Sequence, residues 1–486
     1  MSEAREAARG SGIRLATEVV ARALSVLTTL LVARGLGVTN FGVYAALSGI
    51  AVVLAEAGDL GLQGLAVPVL IARRFRLRDL LRAKLLLAAV LGALALILPW
   101  LLGALAPAAA GVLPWAWRDA LLAAGRGGFL LTPLVLYFGL AGWSEFLGVA
   151  LRAAGRRSQE AGVILCLRAA GLLATVWSLR AGLGVFGLVW AQTASVLPAV
   201  LLGAWLLSRL AAGLPEAATA PVGSVLRAAA PLAVNGGLAL LSLRIELITI
   251  FFLKGSWEAG LFGAALKLVE SLNGIPGALV SGALPSLTRE ALVGEGRSHQ
   301  VRARTAALVA LLGVPAALGM ALQAPAVLGL LGSGYAAGAS SLRILALAIA
   351  VLFTNTLLLN ALVAVGQADR LPRLTGVRVG VAVLLALALV PTLGGPGAAL
   401  GFLFAELILT GLAARGCAAA GFPVPVLRPA LLAALLSLPM VAAVGLLHTS
   451  AWLAIGAGVV VYGLTLGFAW LLGRDPLRQL LEGKSA

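Results

Sequence analysis

The chain has 486 residues, 61% hydrophobic and 11% charged, with a mean hydropathy of +1.05. A soluble protein averages roughly 25% charged residues, so a water-soluble globular domain is excluded and an all-α polytopic membrane protein is expected. The net charge of +17 does not point to nucleic acid: the basic residues recur at the ends of apolar runs, where the positive-inside rule places them.

In chain order, the first twelve residues, MSEAREAARGSG, are polar and charged, and Glu18 and Arg22 interrupt the apolar run that follows. A cleaved signal peptide is not expected from such a start. An apolar helix of about 20 residues crosses the hydrocarbon core, and fourteen transmembrane helices are expected near 13–33, 41–71, 83–105, 128–150, 161–179, 185–207, 229–252, 259–283, 305–325, 339–364, 375–392, 397–414, 429–448 and 451–472. Their even number puts both termini on one side. Most Lys and Arg then fall on that side, with Lys84, Arg302 and Arg378 counted in its loops, so both termini are expected in the cytoplasm.

Two stretches read as a weak internal repeat, against the alternative of two ordinary helix-turn-helix hairpins that share composition. LLVARGLGVTNFGVYAAL, Leu30 to Leu47, leads from the first span into the second, and IFFLKGSWEAGLFGAAL, Ile250 to Leu266, leads from the seventh into the eighth. Both place a basic residue, Arg34 or Lys254, before a Gly-containing turn. A repeat of six spans gives two lobes in parallel orientation. The expected organisation is an N-terminal six-helix lobe at 1–208, a cytoplasmic linker at 209–227, a C-terminal six-helix lobe at 228–415, and two extra helices with a tail at 416–486.

Charges inside apolar runs mark the candidate site, since each costs at least about 2.5–3.5 kcal/mol at bilayer depth and is retained where it meets a partner or a polar cavity. At 100° per residue, Arg14, Glu18, Arg22, Ser25 and Thr29 form one stripe on span 1, and Ser48, Glu56, Asp59 and Gln63 one on span 2. Span 7 carries Asn235, Ser242, Glu246 and Thr249 on one face, with Arg244 opposite, and span 8 groups Lys267, Glu270 and Ser271. Facing lobes would let these stripes line one central water-filled cavity. The competing reading is structural pairing, Glu18 with Arg22 and Lys267 with Glu270 at helical spacing. Glu145 and Arg152 share a face of span 4 and read as a pair at the membrane edge. Arg168 and Arg343 stand nearly alone in their spans, and Glu406 is the single carboxylate of the late spans. Cys166, Cys417, His299 and His448 are isolated, so neither a disulfide framework nor a metal site is expected.

The segment ARGLGVTNFGVYAAL, Ala33 to Leu47, followed by an acidic, Gly-rich second helix ending in Arg73-Arg74, resembles the polysaccharide-transporter branch, the Wzx-type flippases, of the multidrug/oligosaccharidyl-lipid/polysaccharide exporter superfamily. The resemblance implies a two-lobe alternating-access transporter in the bacterial inner membrane. It implies a lipid-linked oligosaccharide as substrate, carried on undecaprenyl diphosphate for O-antigen, capsule or exopolysaccharide assembly. Membrane lipids, a polysaccharide polymerase and chain-length proteins would be its partners. Arg22, Lys267, Arg244 and Arg343 would contact the diphosphate; Glu18, Glu56, Asp59 and Glu270 would tune those cations, bind H+ or Na+ for coupling, or meet sugar hydroxyls. No resident cofactor is expected. A lipid II flippase and a cation-coupled drug exporter of the same superfamily remain alternatives. So does a membrane-embedded glycan polymerase or ligase, although no Ser/His/Asp, Cys/His or metal constellation supports an enzyme.

Overall fold

The computed structural model describes residues 2–72, 74–109, 115–210, 220–293, 300–446 and 451–471. His299, His448 and most of the expected linker lie outside the described residues, as do the side chains of Arg14, Asn235 and Ser242. The described residues are all-α. The helices are α1 (Ser2–Asp59), α2 (Leu62–Ile71), α3 (Leu77–Ala109), α4 (Trp115–Ala153), α5 (Arg157–Arg180), α6 (Gly184–Ser195), α7 (Leu197–Leu210), α8 (Val222–Leu272) and α9 (Gly274–Val293). There follow α10 (Gln300–Leu322), α11 (Ala324–Gly329), α12 (Ala339–Ala364), α13 (Leu371–Leu393), α14 (Gly395–Ala419), α15 (Leu427–Leu436), α16 (Leu438–Leu446) and α17 (Ala451–Leu471). Each of the fourteen apolar runs falls on helix, and among the described residues ten segments are long and apolar enough to cross a membrane. The chain is a multi-pass membrane protein.

Most interruptions have a chemical cause. Proline lacks the N–H that would continue the ladder and clashes with the carbonyl four residues back. Accordingly the helix stops at Val196 before Pro198, at Asn273 before Pro276, at Gln323 before Pro325 and at Ser437 before Pro439. At the last of these, the Ser437 hydroxyl donates to the Ala433 carbonyl at 2.6 Å. The break between α1 and α2 has no proline. Leu60 (φ 45°) and Gly61 (φ 72°) both take the left-handed region there, and Leu60 is the single non-glycine residue with positive φ among the described residues.

Helices α1 and α8 are each broken once inside their length, at Gly37 (φ 72°) and at Gly255 (φ 86°). Glycine alone adopts these angles without cost. A shift of 218 residues carries Gly37 onto Gly255, Val38 onto Ser256 and Gly42 onto Gly260. The contacts obey the same shift: a Cβ on Gly42 would overlap the Ser256 carbonyl oxygen, and one on Gly260 would overlap the Val38 carbonyl oxygen. The two backbones cross in direct contact at a paired glycine.

The chain divides into two compact units, Met1–Arg244 with Phe251–Gly260, and Ile245–Ile250 with Leu261–Ala486. In unit 1, α1 lies against α4 and α5, and α3 against α4. Three apolar clusters hold it: one around Leu62, Leu80 and Phe146, one around Leu77, Leu151 and Leu167, and one around Leu47, Leu134 and Val189. In unit 2, α12 lies against α10 and α14, and α13 against α14.

Candidate functional site

Two adjoining chambers in unit 1 are lined by charged residues. The inner chamber, about 290 Å³, lies among α1, α2, α3, α4 and α5; its charged lining is Glu56, Asp59, Lys84, Glu145 and Arg168. The vestibule, about 610 Å³, lies at the end where α4 passes into α5, and is lined by Glu18, Arg22, Arg152, Arg157 and Glu160 as well as Glu145 and Arg168. Gln63, Glu145 and Arg168 line both and therefore form the partition between them. With all groups ionised, the inner chamber holds three carboxylates against two cations, and the vestibule four arginines against three glutamates.

The wall of the inner chamber is built on the α1–α2 break. An interrupted helix leaves unpaired N–H groups at the new N-terminus, and Asp59 meets them: the Gln63 backbone N–H donates to its Oδ2 at 3.1 Å, while the Lys84 ammonium donates to Oδ1. Asp59 and Lys84 are almost fully buried, and the Lys84 ammonium lies 5.7 Å from the Phe146 ring centroid. Gln63 Nε2 donates to the Gly142 carbonyl at 3.3 Å, tying α2 to α4. Glu56, one turn before Asp59, faces the chamber half-buried.

Each vestibule arginine but one holds a glutamate. Arg22 donates to Glu18 at 3.0 Å, one helical turn away. Arg152 hydrogen-bonds Glu160 across the turn at Gly155. Arg168 lies 3.7 Å from Glu145, an ion pair without a hydrogen bond. Arg157, exposed in the first turn of α5, holds no carboxylate among the described residues. The side chains sharing a face of span 4 thus do not pair with each other: Arg152 reaches Glu160 and Glu145 reaches Arg168, both on α5. The expected membrane-edge pair is corrected, because the facing helix offers each group a nearer opposite charge.

The remaining candidates are not among the residues lining the two chambers. Lys267 donates to Glu270 at 2.7 Å on α8, in unit 2. Arg244 is half-buried on α8, and Arg343 is exposed in the second turn of α12. Glu406 is locked in unit 2: Arg378 Nε donates to it at 2.5 Å and Asn355 Nδ2 at 2.7 Å, with all three nearly fully buried. Arg302 pairs with Glu290 at 3.3 Å and lies 4.6 Å from the Phe422 ring. Burial pushes the Glu290 carboxyl above the ordinary carboxylate range, opposed by the Arg302 N–H and guanidinium. Lys84, Arg302 and Arg378, which count toward the cytoplasmic side in the charge bias, are buried side chains on α3, α10 and α13. Lys84, Arg157 and Glu160 line the chambers without being singled out in the sequence, and Glu145, Arg152 and Arg168 are singled out there but not assigned to the substrate site. Their signal, charges on neighbouring spans, was present, but partner choice between helices was not readable from spacing. Among the described residues, no three His, Cys, Asp or Glu side chains cluster to hold a metal ion.

No family model matches the sequence, and no curated protein matches it. The fold is similar to that of the lipid II flippase MurJ in an inward closed conformation, with a TM-score of 0.67 at 11% identity over 93% of this chain and 98% of that one. It is also similar to an inward-facing multidrug resistance MATE transporter of the MOP superfamily (TM-score 0.59, 17% identity, 82% of this chain and 94% of that one). A eukaryotic MATE transporter gives a TM-score of 0.54 at 16% identity, covering 86% and 98%. At such identities the likeness concerns the fold.

Proposed function

We propose that this chain is a membrane transporter of that fold, moving an undecaprenyl-diphosphate-linked oligosaccharide by alternating access from the cytoplasmic to the outer leaflet of the bacterial inner membrane. The observation that carries the reading is the vestibule: four arginines, Arg22, Arg152, Arg157 and Arg168, around a water-accessible space inside a multi-pass membrane protein. A diphosphate headgroup is anionic and strongly hydrated, so it crosses only where fixed cations replace its water. Arg suits this because its guanidinium stays charged and binds phosphate oxygens in a bidentate fork. On this reading both termini are cytoplasmic, 1–208 and 228–415 act as the two lobes, and a polymerase and chain-length proteins receive the product. Arg22 leads the diphosphate contact, with Lys267, Arg244 and Arg343 as further contacts. Glu18, Glu56, Asp59 and Glu270 tune the cations or take up H+ or Na+.

A second reading, a lipid II flippase or a cation-coupled exporter, draws on the MurJ and MATE likeness and on the carboxylates of the inner chamber, Glu56, Asp59 and Glu145. Complementation separates them. In a strain lacking its own oligosaccharide flippase, wild type should restore surface glycan, well-expressed Arg22→Ala should lose it, and Arg22→Lys should retain part. Failure with every lipid-linked glycan, together with export of cationic dyes, would replace the flippase reading by the exporter. Rescue of a strain depleted of its lipid II flippase would assign that substrate instead.

A further inference from the structure

The two chambers meet at the weakest of the charge pairs that line them. Arg22–Glu18, Arg152–Glu160 and Lys84–Asp59 are all hydrogen-bonded, whereas Arg168 and Glu145 stand 3.7 Å apart with no hydrogen bond between them. Both line the two chambers, at 35% and 47% side-chain exposure. A charge-assisted hydrogen bond is roughly twice as strong as a neutral one and requires close approach. A pair at 3.7 Å forgoes it, and leaves the guanidinium fork for a better-placed acceptor.

We propose that Glu145 is a built-in competitor that occupies Arg168 until an anionic diphosphate enters the vestibule, and that transfer of Arg168 to the diphosphate parts the wall between the chambers. The inference rests on the vestibule being an anion site. The incoming diphosphate meets Arg157 first, since this exposed arginine at the vestibule holds no carboxylate among the described residues. It then draws Arg168 from Glu145 into a bidentate contact. The side chain of Glu145 is released toward the inner chamber, whose other cation, Lys84, stays paired with Asp59. Gln63, the third member of the partition, stays held by its bond to the Gly142 carbonyl, so the opening is set by the ion pair alone. Arg168 reads the anion, and Glu145 is a positioning residue.

The test uses the purified full-length protein in detergent, with inorganic pyrophosphate and farnesyl diphosphate as probes. Relative to wild type, Glu145→Gln should bind both more tightly by several-fold, and Arg168→Ala should bind about tenfold more weakly, the scale of one charged contact. The double variant should match Arg168→Ala. Arg168→Lys, which keeps the charge but not the fork, should fall between, and serves if the Ala variant does not fold. Tighter binding of farnesyl than of inorganic diphosphate assigns a lipid headgroup; equal binding supports the anion site with a soluble source. Parting of the wall has its own readout. Gly92 lines the inner chamber with open space beyond its Cα, so Gly92→Cys, with Cys166 and Cys417 replaced by Ala, should react faster with a charged thiol reagent when pyrophosphate is present. The inference is overturned if Glu145→Gln binds no more tightly than wild type, if Arg168→Ala binds equally well, or if pyrophosphate binds without changing reactivity at Gly92→Cys. Those results would leave the complementation outcome, and with it the flippase reading, to stand or fall separately.

Discussion

Asp59 serves two masters, the N-terminus of α2 and the Lys84 ammonium, and both demands are met away from bulk water. Breaking a buried pair by removing one partner costs about 3–5 kcal/mol, whereas removing both is far milder. Lys84→Met should therefore lower the thermal unfolding midpoint in detergent strongly, and Asp59→Asn less, because Asn keeps an acceptor for the Gln63 N–H. Lys84→Met with Asp59→Asn should be more stable than Lys84→Met alone. A double variant whose loss equals the sum of the singles would show that the two groups do not act as a pair. Lys84 also illustrates what the sequence hid. It falls inside the expected span 83–105 but close behind Arg82 in an arginine-rich stretch, and nothing in its spacing points to Asp59, 25 residues back on another helix, as its partner. Glu145 and Arg152 were assigned to each other on helical spacing, and that spacing is real. What decided their partners was α5, which a single-helix argument does not contain.

At the level of the element, hydropathy located the apolar runs, but the expected spans ran through the proline-linked breaks at Val196, Asn273, Gln323 and Ser437. The break that shapes the inner chamber escaped, since Gly-Asp-Leu-Gly inside an apolar run reads as an ordinary stretch of span 2. Leu60 adopts φ 45° there, at a cost of roughly 1–2 kcal/mol for an L-residue. Outliers of that kind persist where surrounding structure enforces them, often at functional sites. Leu60→Gly should relieve the strain and raise the unfolding midpoint slightly. A lower midpoint would mean that lost packing outweighs the backbone. The expected repeat pairs Arg34 with Lys254, a shift of 220 residues, whereas the helix breaks at Gly37 and Gly255 and the reciprocal contacts at Gly42 and Gly260 obey a shift of 218. A methyl group at either position pushes the same two backbones apart, with an overpacking cost of about 1–3 kcal/mol. Gly42→Ala and Gly260→Ala should each lower the unfolding midpoint, and the double variant should lose clearly less than the sum, since neighbouring sites that share one contact are not additive.

Across the whole molecule, four buried acids among the described residues are each balanced by a base. Asp59 with Lys84, Glu160 with Arg152, Glu290 with Arg302 and Glu406 with Arg378 each join an acid to a base within one unit. The net charge of +17 is thus carried outside these pairs, which is why composition alone could identify a membrane protein with a strong charge bias but could not locate its chambers. These pairs also run between helices close in the chain: α1 to α3, α4 to α5, α9 to α10, α13 to α14. During synthesis, a helix carrying an unpaired charge has only a short wait at the translocon before its counter-ion emerges. Nascent chains ending after α13 should therefore be retained in the membrane less securely than chains ending after α14, and Glu406→Leu should erase that difference, as glycosylation mapping of truncated chains would reveal. For these four pairs the arrangement doubles as an assembly timetable, in which neither partner waits in lipid for longer than one or two helices take to be made.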